Sequence, residues 1–161
     1  MDLNNQDWKT DIRKERHHIT QEDFTPSEIV DILIDGQNEL FTDFSKTFLD
    51  PCIGIGFIYI GVLKKRLENC NNIDDIINAI KTMYGTELME DNVVECKNNI
   101  WNEISKFMEN QNMTYSDGNL KFMDKVYDIL DNNIVCTDTF KWDYENWKPI
   151  EDDTPKSIPL W

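Results

Sequence analysis

The chain has 161 residues, with 31 Asp and Glu against 16 Lys and Arg and a formal net charge of −15 at pH 7. Such a length predicts one domain, because domains cluster near ~100–150 residues. A composition that is 40% hydrophobic and 11% aromatic favours a packed core over a disordered acidic chain. The acidic excess argues against unaided binding of nucleic acid, which requires a clustered basic surface.

Two further protein classes are disfavoured at this level. The longest apolar stretch, Cys52 to Leu63, is mixed and falls short of the ~20 residues that span a bilayer, so no transmembrane helix is expected. Residues 1–20 are polar and charged, unlike a signal peptide. The four cysteines form no CxxC pair, which predicts no metal site and reduced thiols in a cytoplasmic protein.

Composition divides the chain into three parts. Residues 1–23 mix charges and amides without an apolar period, which predicts a polar arm that is poorly ordered or depends on a partner. Residues 24–140 carry the regular apolar patterns of a folded domain. Residues 141–161 form a tail in which Trp and Tyr alternate with acids.

The folded part is predicted to begin with a helix from Pro26, with Thr25 as its N-cap and Gly36 at its end. A short buried strand over 47–49 precedes Asp50, and apolar residues then recur at three- and four-residue steps. The elements predicted after that strand are helices over 57–67, 74–82, 91–108 and 120–130 and strands over 83–88 and 133–136. Strands that alternate with helices predict an α/β fold with a parallel sheet.

Open parallel sheets bind ligands at the carboxyl ends of their strands. The first strand is followed by Gly54 and Gly56, which allow the backbone to approach a ligand just before a helix N-terminus. Glu87 ends the second strand, where an acid can accept hydrogen bonds from a ribose diol. Asp138 and Phe140 follow the third strand, where an acid can accept an adenine amino proton and a ring can flank the base. Together these residues predict an adenosine pocket.

Two common nucleotide sites do not fit the same residues. The dinucleotide fingerprint requires a third small residue where this chain has Tyr59, and an acid about 20 residues further on. Neither requirement is met. The chain also lacks the GKS or GKT of a phosphate-binding loop.

Four ordered motifs within residues 18–147 resemble the S-adenosylmethionine half of amino-methylating DNA methyltransferases, in particular the adenine N6 enzymes of phage and restriction systems. The motifs are Phe24-Thr25-Pro26, Asp50-Pro51-x-x-Gly54-x-Gly56, Tyr84-Gly85-x-Glu87 and Asp138-x-Phe140. The resemblance implies a small Rossmann-like methyltransferase fold, with a truncated parallel sheet flanked by helices.

The resemblance also implies a role for each motif. Phe24 and Thr25 would pack against the methionine part of S-adenosylmethionine, and the loop with Asp50, Gly54 and Gly56 would wrap its amino and carboxylate ends. The ribose would be held by Glu87, and the adenine by Asp138 and Phe140.

Two departures from the family bear on function. Ile53, Ile55 and Phe57 stand where the family has small or polar residues, which predicts a narrower pocket. The catalytic Asn, Asp or Ser followed by Pro-Pro-aromatic is absent from the sequence, and its nearest counterpart, Ser157 to Trp161, lacks the first Pro. The chain therefore stops where a fourth strand would start, and we expect a partner chain to supply any methyl transfer to DNA.

Several alternatives stay open. The chain could be a non-enzymatic acidic interaction or inhibitor protein that keeps the fold, or, as a third possibility, a self-sufficient methylase. Its tail could pack over an open sheet edge or bind a protein partner or a second copy. At the site, each group also has a purely structural interpretation: Asp50 as a helix cap, Glu87 as a solvated acid, Asp138 as a turn residue and Phe24 as a hydrophobic staple.

Overall fold

The computed structural model describes residues 25–115 and 118–151. Within those ranges, helices and strands alternate along the chain as predicted. In chain order the elements are α1 Ser27–Ile34, α2 Asn38–Thr42, β1 Phe48–Asp50, α3 Phe57–Leu67, α4 Ile73–Lys81, β2 Met83–Glu87, α5 Glu90–Asn110, α6 Asn119–Asn133, β3 Ile134–Cys136, a 3-10 turn Thr139–Lys141, β4 Trp142–Asp143 and β5 Lys148–Pro149.

The first three strands form one parallel sheet in the order β1-β2-β3. Its register sets Asp50 opposite Gly85 and Glu87 opposite Cys136, so the carboxyl ends of all three strands lie at one edge. The structure is therefore a mixed α/β fold with a small three-stranded parallel sheet flanked by helices, as predicted. This arrangement is compatible with a Rossmann-like fold.

The predicted helices and strands are confirmed with shifts of one to three residues at their ends. Thr25 does not cap α1, because Pro26 occupies the N-cap position without a side-chain cap bond. The short helix α2 and the β4–β5 hairpin were not predicted. Across residues 25–115 and 118–151, none of the helices combines the length and apolar character needed to cross a bilayer.

The core lies between the helices and one face of the sheet. Phe48 of β1 meets Tyr59 of α3 with ring centroids 6.0 Å apart. Helix α1 crosses α3 so closely at Gly61 that a Cβ there would stand 2.3 Å from Val30 Cγ1. Helices α4, α5 and α6 each contribute a row of buried side chains at steps of three or four residues. These rows are Ile76, Ile77 and Ile80 on α4, Cys96, Ile100 and Ile104 on α5, and Phe122, Val126 and Leu130 on α6.

The opposite face of the sheet is covered by residues 142–149, which we call the aromatic hairpin. Successive strand residues point to opposite faces, so Tyr84 and Thr86 share this second face. Tyr84 packs on Trp147 at a centroid distance of 4.8 Å, and Thr86 Oγ1 lies 3.1 Å from the Tyr144 hydroxyl. The described part of the tail thus packs back onto the sheet. These contacts lie on a face of the sheet, whereas the sequence suggested packing over an open edge.

Candidate functional site

The loop between β1 and α3 carries the predicted glycines at the carboxyl edge of the sheet. Gly54 and Gly56 adopt φ values of +55° and +94°, in the left-handed region that glycine enters without steric cost. The loop is tied to the sheet and to itself: Ile53 N donates to Thr86 O at 3.0 Å, and Gly56 N donates to Ile53 O at 2.9 Å. The sequence therefore needs glycine here for backbone conformation.

The bulky residues of this loop point into the protein. Ile53 and Ile55 are both buried, and a Cβ at Gly85 would stand 2.5 Å from Ile53 Cδ1. Ile53 thus fills the space left by the missing side chain of Gly85. Ile53 belongs to the hydrophobic core, and the narrowing of a ligand pocket by these residues stays a prediction. Phe57, by contrast, is 40% exposed at the start of α3.

Glu87 joins the end of β2 to the glycine loop. Its Oε2 accepts a hydrogen bond from Gly54 N at 2.9 Å, and its Oε1 accepts one from Met89 N at 2.9 Å. The side chain is half-buried. These bonds exclude the interpretation of Glu87 as an ordinary solvated acid, since both of its oxygens are held by backbone amides.

Asp50 lies beside Glu87 at the end of β1 and is only 9% exposed. Its Oδ1 accepts a hydrogen bond from Cys52 N at 3.2 Å. Burial raises the pKa of Asp50, the Cys52 hydrogen bond opposes that shift, and the negative charge of Glu87 adds to it. Because the N-cap of α3 is Gly56, with no side-chain cap bond, Asp50 is not the cap of that helix.

The third predicted acid has a different environment. Asp138 Oδ1 accepts a hydrogen bond from Phe140 N at 3.0 Å, and its Oδ2 lies 3.8 Å from Lys141 Nζ. The ring of Phe140 is 89% exposed. Asp138 therefore does form a turn, as its structural interpretation predicted. The end of β3 nevertheless reaches Glu87, since Thr137 N donates to Glu87 O at 2.7 Å.

The FTP motif is only partly visible. Thr25 is half-buried just before α1. Phe24 lies outside the described residues, so both of its predicted roles, the cofactor contact and the hydrophobic staple, stay predictions.

Sequence reasoning missed the residues that hold the glycine loop from outside it. Asn99 Nδ2 donates to Ile55 O at 3.1 Å from the middle of α5. A Cβ at Gly56 would stand 2.8 Å from Cys96 Sγ, on the same helix. Thr86 Oγ1 donates to Pro51 O at 2.7 Å. The first two contacts depend on how α5 packs against the loop and the third on the position of β2, and no local pattern in the sequence predicts them.

Fold and site together define a class: a mixed α/β protein whose parallel sheet presents a glycine loop and three acids at its carboxyl edge. Within residues 25–115 and 118–151, no group of three His, Cys, Asp or Glu side chains could hold a metal ion. Comparisons with known proteins add no narrower class, since the chain matches no protein-family model, no curated protein and no solved structure.

Proposed function

We propose that this chain binds S-adenosylmethionine at the carboxyl edge of its sheet, as the cofactor half of an amino-methylating DNA methyltransferase. A partner chain would supply the catalytic residues for methyl transfer to DNA. Under this proposal, the mixed α/β fold with its three-stranded parallel sheet is a small Rossmann fold of the methyltransferase type. It gives Asp50, the loop at Gly54 and Gly56, Glu87 and Asp138 the roles that the family resemblance implies.

One observation carries the proposal: the acids at the ends of β1 and β2 lie together around the glycine loop. The hydrogen bond of 2.9 Å from Gly54 N to Glu87 Oε2 links the two motifs directly, although they are 33 residues apart in sequence. The register of the sheet sets the end of β3, before Asp138, beside Glu87. Ligand sites of open parallel sheets occur at such an edge.

The two inner carboxylates retain capacity for ligand hydrogen bonds. An ionised carboxylate can accept about four hydrogen bonds, and Glu87 already accepts three, two from backbone amides and a longer one from Asn92 Nδ2 at 3.5 Å. The remaining lone pair suits one hydroxyl donor of a ribose. Asp50, whose charge is disfavoured by burial, would be stabilised by a neighbouring cationic group such as the ammonium of the methionine part.

Methyl transfer itself requires groups that the 161 residues do not contain, because the Pro-Pro-aromatic tetrapeptide is absent. The net charge of −15 also disfavours contact with a DNA duplex. We therefore assign cofactor binding to this chain, and base positioning and DNA contact to the partner.

Isothermal titration with S-adenosylmethionine and with its demethylated product tests the proposal. We expect both to bind, and we expect Asp50→Ala to weaken binding at least about tenfold through loss of a charge-assisted contact. Asp74→Asn, which removes an exposed carboxylate on α4, is the matched control and should leave affinity unchanged. Absence of heat with either ligand, together with no effect of Asp50→Ala, would contradict the proposal.

A second candidate is a non-enzymatic acidic interaction protein. Its support is that the site is held by its own chain, with Glu87 bonded to Gly54 and Met89 and Asp50 bonded to Cys52. Such a protein would act through its acidic surface and aromatic tail, for example by occupying the basic DNA-binding groove of another enzyme.

Pull-down from a host lysate with the full chain and with a chain lacking residues 141–161 separates the two candidates. The interaction protein predicts a specific partner that is lost on truncation while neither ligand binds. The cofactor-binding protein predicts ligand binding by titration whatever the pull-down shows. Methyl transfer to DNA by this chain alone would instead support a self-sufficient methylase.

A further inference from the structure

The aromatic hairpin and the outer face of the sheet border an open cavity that is separate from the glycine loop. Its volume is about 230 Å³. The lining comes from β1 and the residue before it, from β2 and from the hairpin turn, and consists of Thr47, Leu49, Tyr84, Tyr144, Glu145 and Trp147. Three of these six side chains are aromatic and one is a carboxylate.

The aromatic rings are inclined to one another as the walls of a cage. Trp147 meets Tyr84 at an interplanar angle of 65° and a centroid distance of 4.8 Å. It meets Tyr144 at 55° and 6.2 Å. Trp147 also packs on Trp142 at a centroid distance of 5.4 Å, and the parts of Tyr84, Tyr144 and Trp147 that line the cavity can present electron-rich surface to one bound group.

Hydrogen bonds fix the two hairpin rings that line the cavity, Tyr144 and Trp147. Tyr144 is fastened through its hydroxyl to the Thr139 hydroxyl, to Thr139 O at 3.2 Å and to Thr86 Oγ1 at 3.1 Å. Trp147 Nε1 donates to Asn132 O at 2.7 Å. A cage whose walls are already fixed loses little conformational freedom when a ligand enters.

The backbone of Trp147 adopts a strained conformation that places its ring at the cavity. Its φ is +50°, in the left-handed region that a bulky residue rarely adopts. Asp143 stabilises the turn that requires it, since Asp143 Oδ1 accepts hydrogen bonds from Glu145 N at 3.0 Å and Asn146 N at 3.1 Å. Residues held in sparsely populated backbone conformations cluster at binding sites.

Charge selects the ligand. Aromatic faces attract cations, and a carboxylate at the rim adds to the attraction. The side chain of Glu145 is exposed at the cavity, and the whole chain carries −15. A methylated ammonium group suits such a site better than a bare ammonium, because it has less hydration to lose and its methyl groups fill the space between rings.

We propose that the cavity bounded by Tyr84, Tyr144, Trp147 and Glu145 is an aromatic cage that binds a quaternary or methylated ammonium group. The site is independent of the proposed cofactor site, which lies at the carboxyl edge of the sheet. A small organic cation and a methylated lysine of a protein share the chemistry that the cage recognises.

Binding is tested by titrating the full chain with choline and following the Trp147 indole N–H by two-dimensional NMR, after assignment with Trp147→Phe. The matched ligand is 3,3-dimethylbutan-1-ol, which has the shape of choline without its charge. We expect choline to shift the Trp147 resonance saturably and to bind at least about tenfold more tightly than the alcohol. A trimethyllysine peptide tests the protein source in the same way, and an unmethylated copy should bind more weakly.

Two variants test the lining of the cavity, and one of them changes only an exposed side chain, so that a loss of binding is not caused by a loss of folding. Tyr84→Leu removes one wall and should abolish saturable binding of choline. Glu145→Gln changes only an exposed side chain and should weaken binding about three- to tenfold, whereas Glu109→Gln on α5 should not. Equal affinity for choline and the neutral alcohol, or unchanged choline affinity in Glu145→Gln and Tyr84→Leu, would overturn the proposal.

Discussion

The two ends of the parallel sheet both hold buried charge, but they satisfy it in different ways. At the amino end, the fully buried Arg66 of α3 donates to Leu40 O at 2.9 Å, Ala79 O at 2.6 Å and Lys46 O at 2.6 Å. It also donates to Thr82 Oγ1 at 2.8 Å. At the carboxyl end, Asp50 and Glu87 accept hydrogen bonds from backbone amides of the glycine loop and the turn after β2.

The difference separates a structural charge from a candidate binding site. Arg66 is surrounded by four acceptors from three segments, α2, the loop before β1 and the end of α4, so its guanidinium ties the helices to the starts of β1 and β2. The two carboxylates lie close enough for the charge of Glu87 to raise the pKa of Asp50, and they keep free lone pairs. Among residues 25–115 and 118–151, no cation forms an ion pair with either carboxylate, and an end of this kind is suited to a ligand that brings donors and a positive charge.

Removal of the amino-end charge should have the largest effect. Arg66→Met leaves buried carbonyl groups without donors, at about 1–3 kcal/mol each, so we expect the free energy of unfolding to fall by about 3 kcal/mol or more. Urea denaturation measures the change. Lys64→Met, on the same helix, removes only an exposed ion pair with Glu103 and should cost less than about 1 kcal/mol. Equal effects of the two substitutions would contradict the structural role of Arg66.

A methyl group on the glycine loop should have the next largest effect. Gly56→Ala combines a φ of +94° with a Cβ placed 2.8 Å from Cys96 Sγ, so we expect a loss of about 3 kcal/mol. Gly36→Ala provides the control, because its φ is +77° and its surroundings are open. The control should lose only about 1–2 kcal/mol from backbone strain. Thermal denaturation of both variants measures how much of the stability loss in Gly56→Ala comes from the clash with Cys96 and how much from backbone strain alone.

Neutralising the central carboxylate should separate ligand binding from folding. Glu87→Gln retains an oxygen acceptor for Gly54 N or Met89 N but not both bonds, so we expect a stability loss of about 1 kcal/mol. Affinity for the demethylated cofactor should fall about tenfold, because hydrogen bonds to charged groups are the stronger ones. Glu109→Gln is the control, measured by the same titrations. A loss of stability in Glu87→Gln without any change in ligand affinity would show that Glu87 stabilises the fold and does not bind the ligand.

The smallest effect is a pH dependence at Asp50. Its pKa is raised above the ordinary value of 3.8, so the folded chain holds this proton more tightly than the unfolded chain does. The contribution of Asp50 is therefore most favourable at low pH, and it declines as pH rises through 3.8 toward the raised value. Asp50→Asn should remove that decline. The measurement is the difference in unfolding free energy between the two proteins across this range; a parallel dependence would contradict the shifted pKa.

Much of the framework could be predicted from the sequence because it depends on local periodicity. The i, i+3, i+4 rows of α4 and α5 and the short apolar runs of β1 and β2 are confirmed. The grouping of Glu87 with the glycine loop followed from one further rule, that parallel strands end at a common edge.

The remaining features depend on contacts between distant segments. The burial of Arg66 in the last turn of α3 could not be predicted, because its acceptors are mostly backbone groups that no sequence pattern identifies. The strands of the aromatic hairpin have two residues each, which is too short for an alternating pattern. The positive φ of its turn falls on Trp147 instead of a glycine, so the usual sequence signal of a turn is missing. Asp138 could equally bind a ligand or form a turn, and only the three-dimensional structure shows its bond to Phe140 N.

The most direct test of the central claim is a crystal structure of the chain grown with the demethylated cofactor, S-adenosylhomocysteine. We expect density for the ligand over Gly54, with its ribose hydroxyls within hydrogen-bond distance of Glu87 and its adenine near Asp138. A site that stays empty at saturating ligand, or a ligand bound anywhere other than this carboxyl edge, would contradict it.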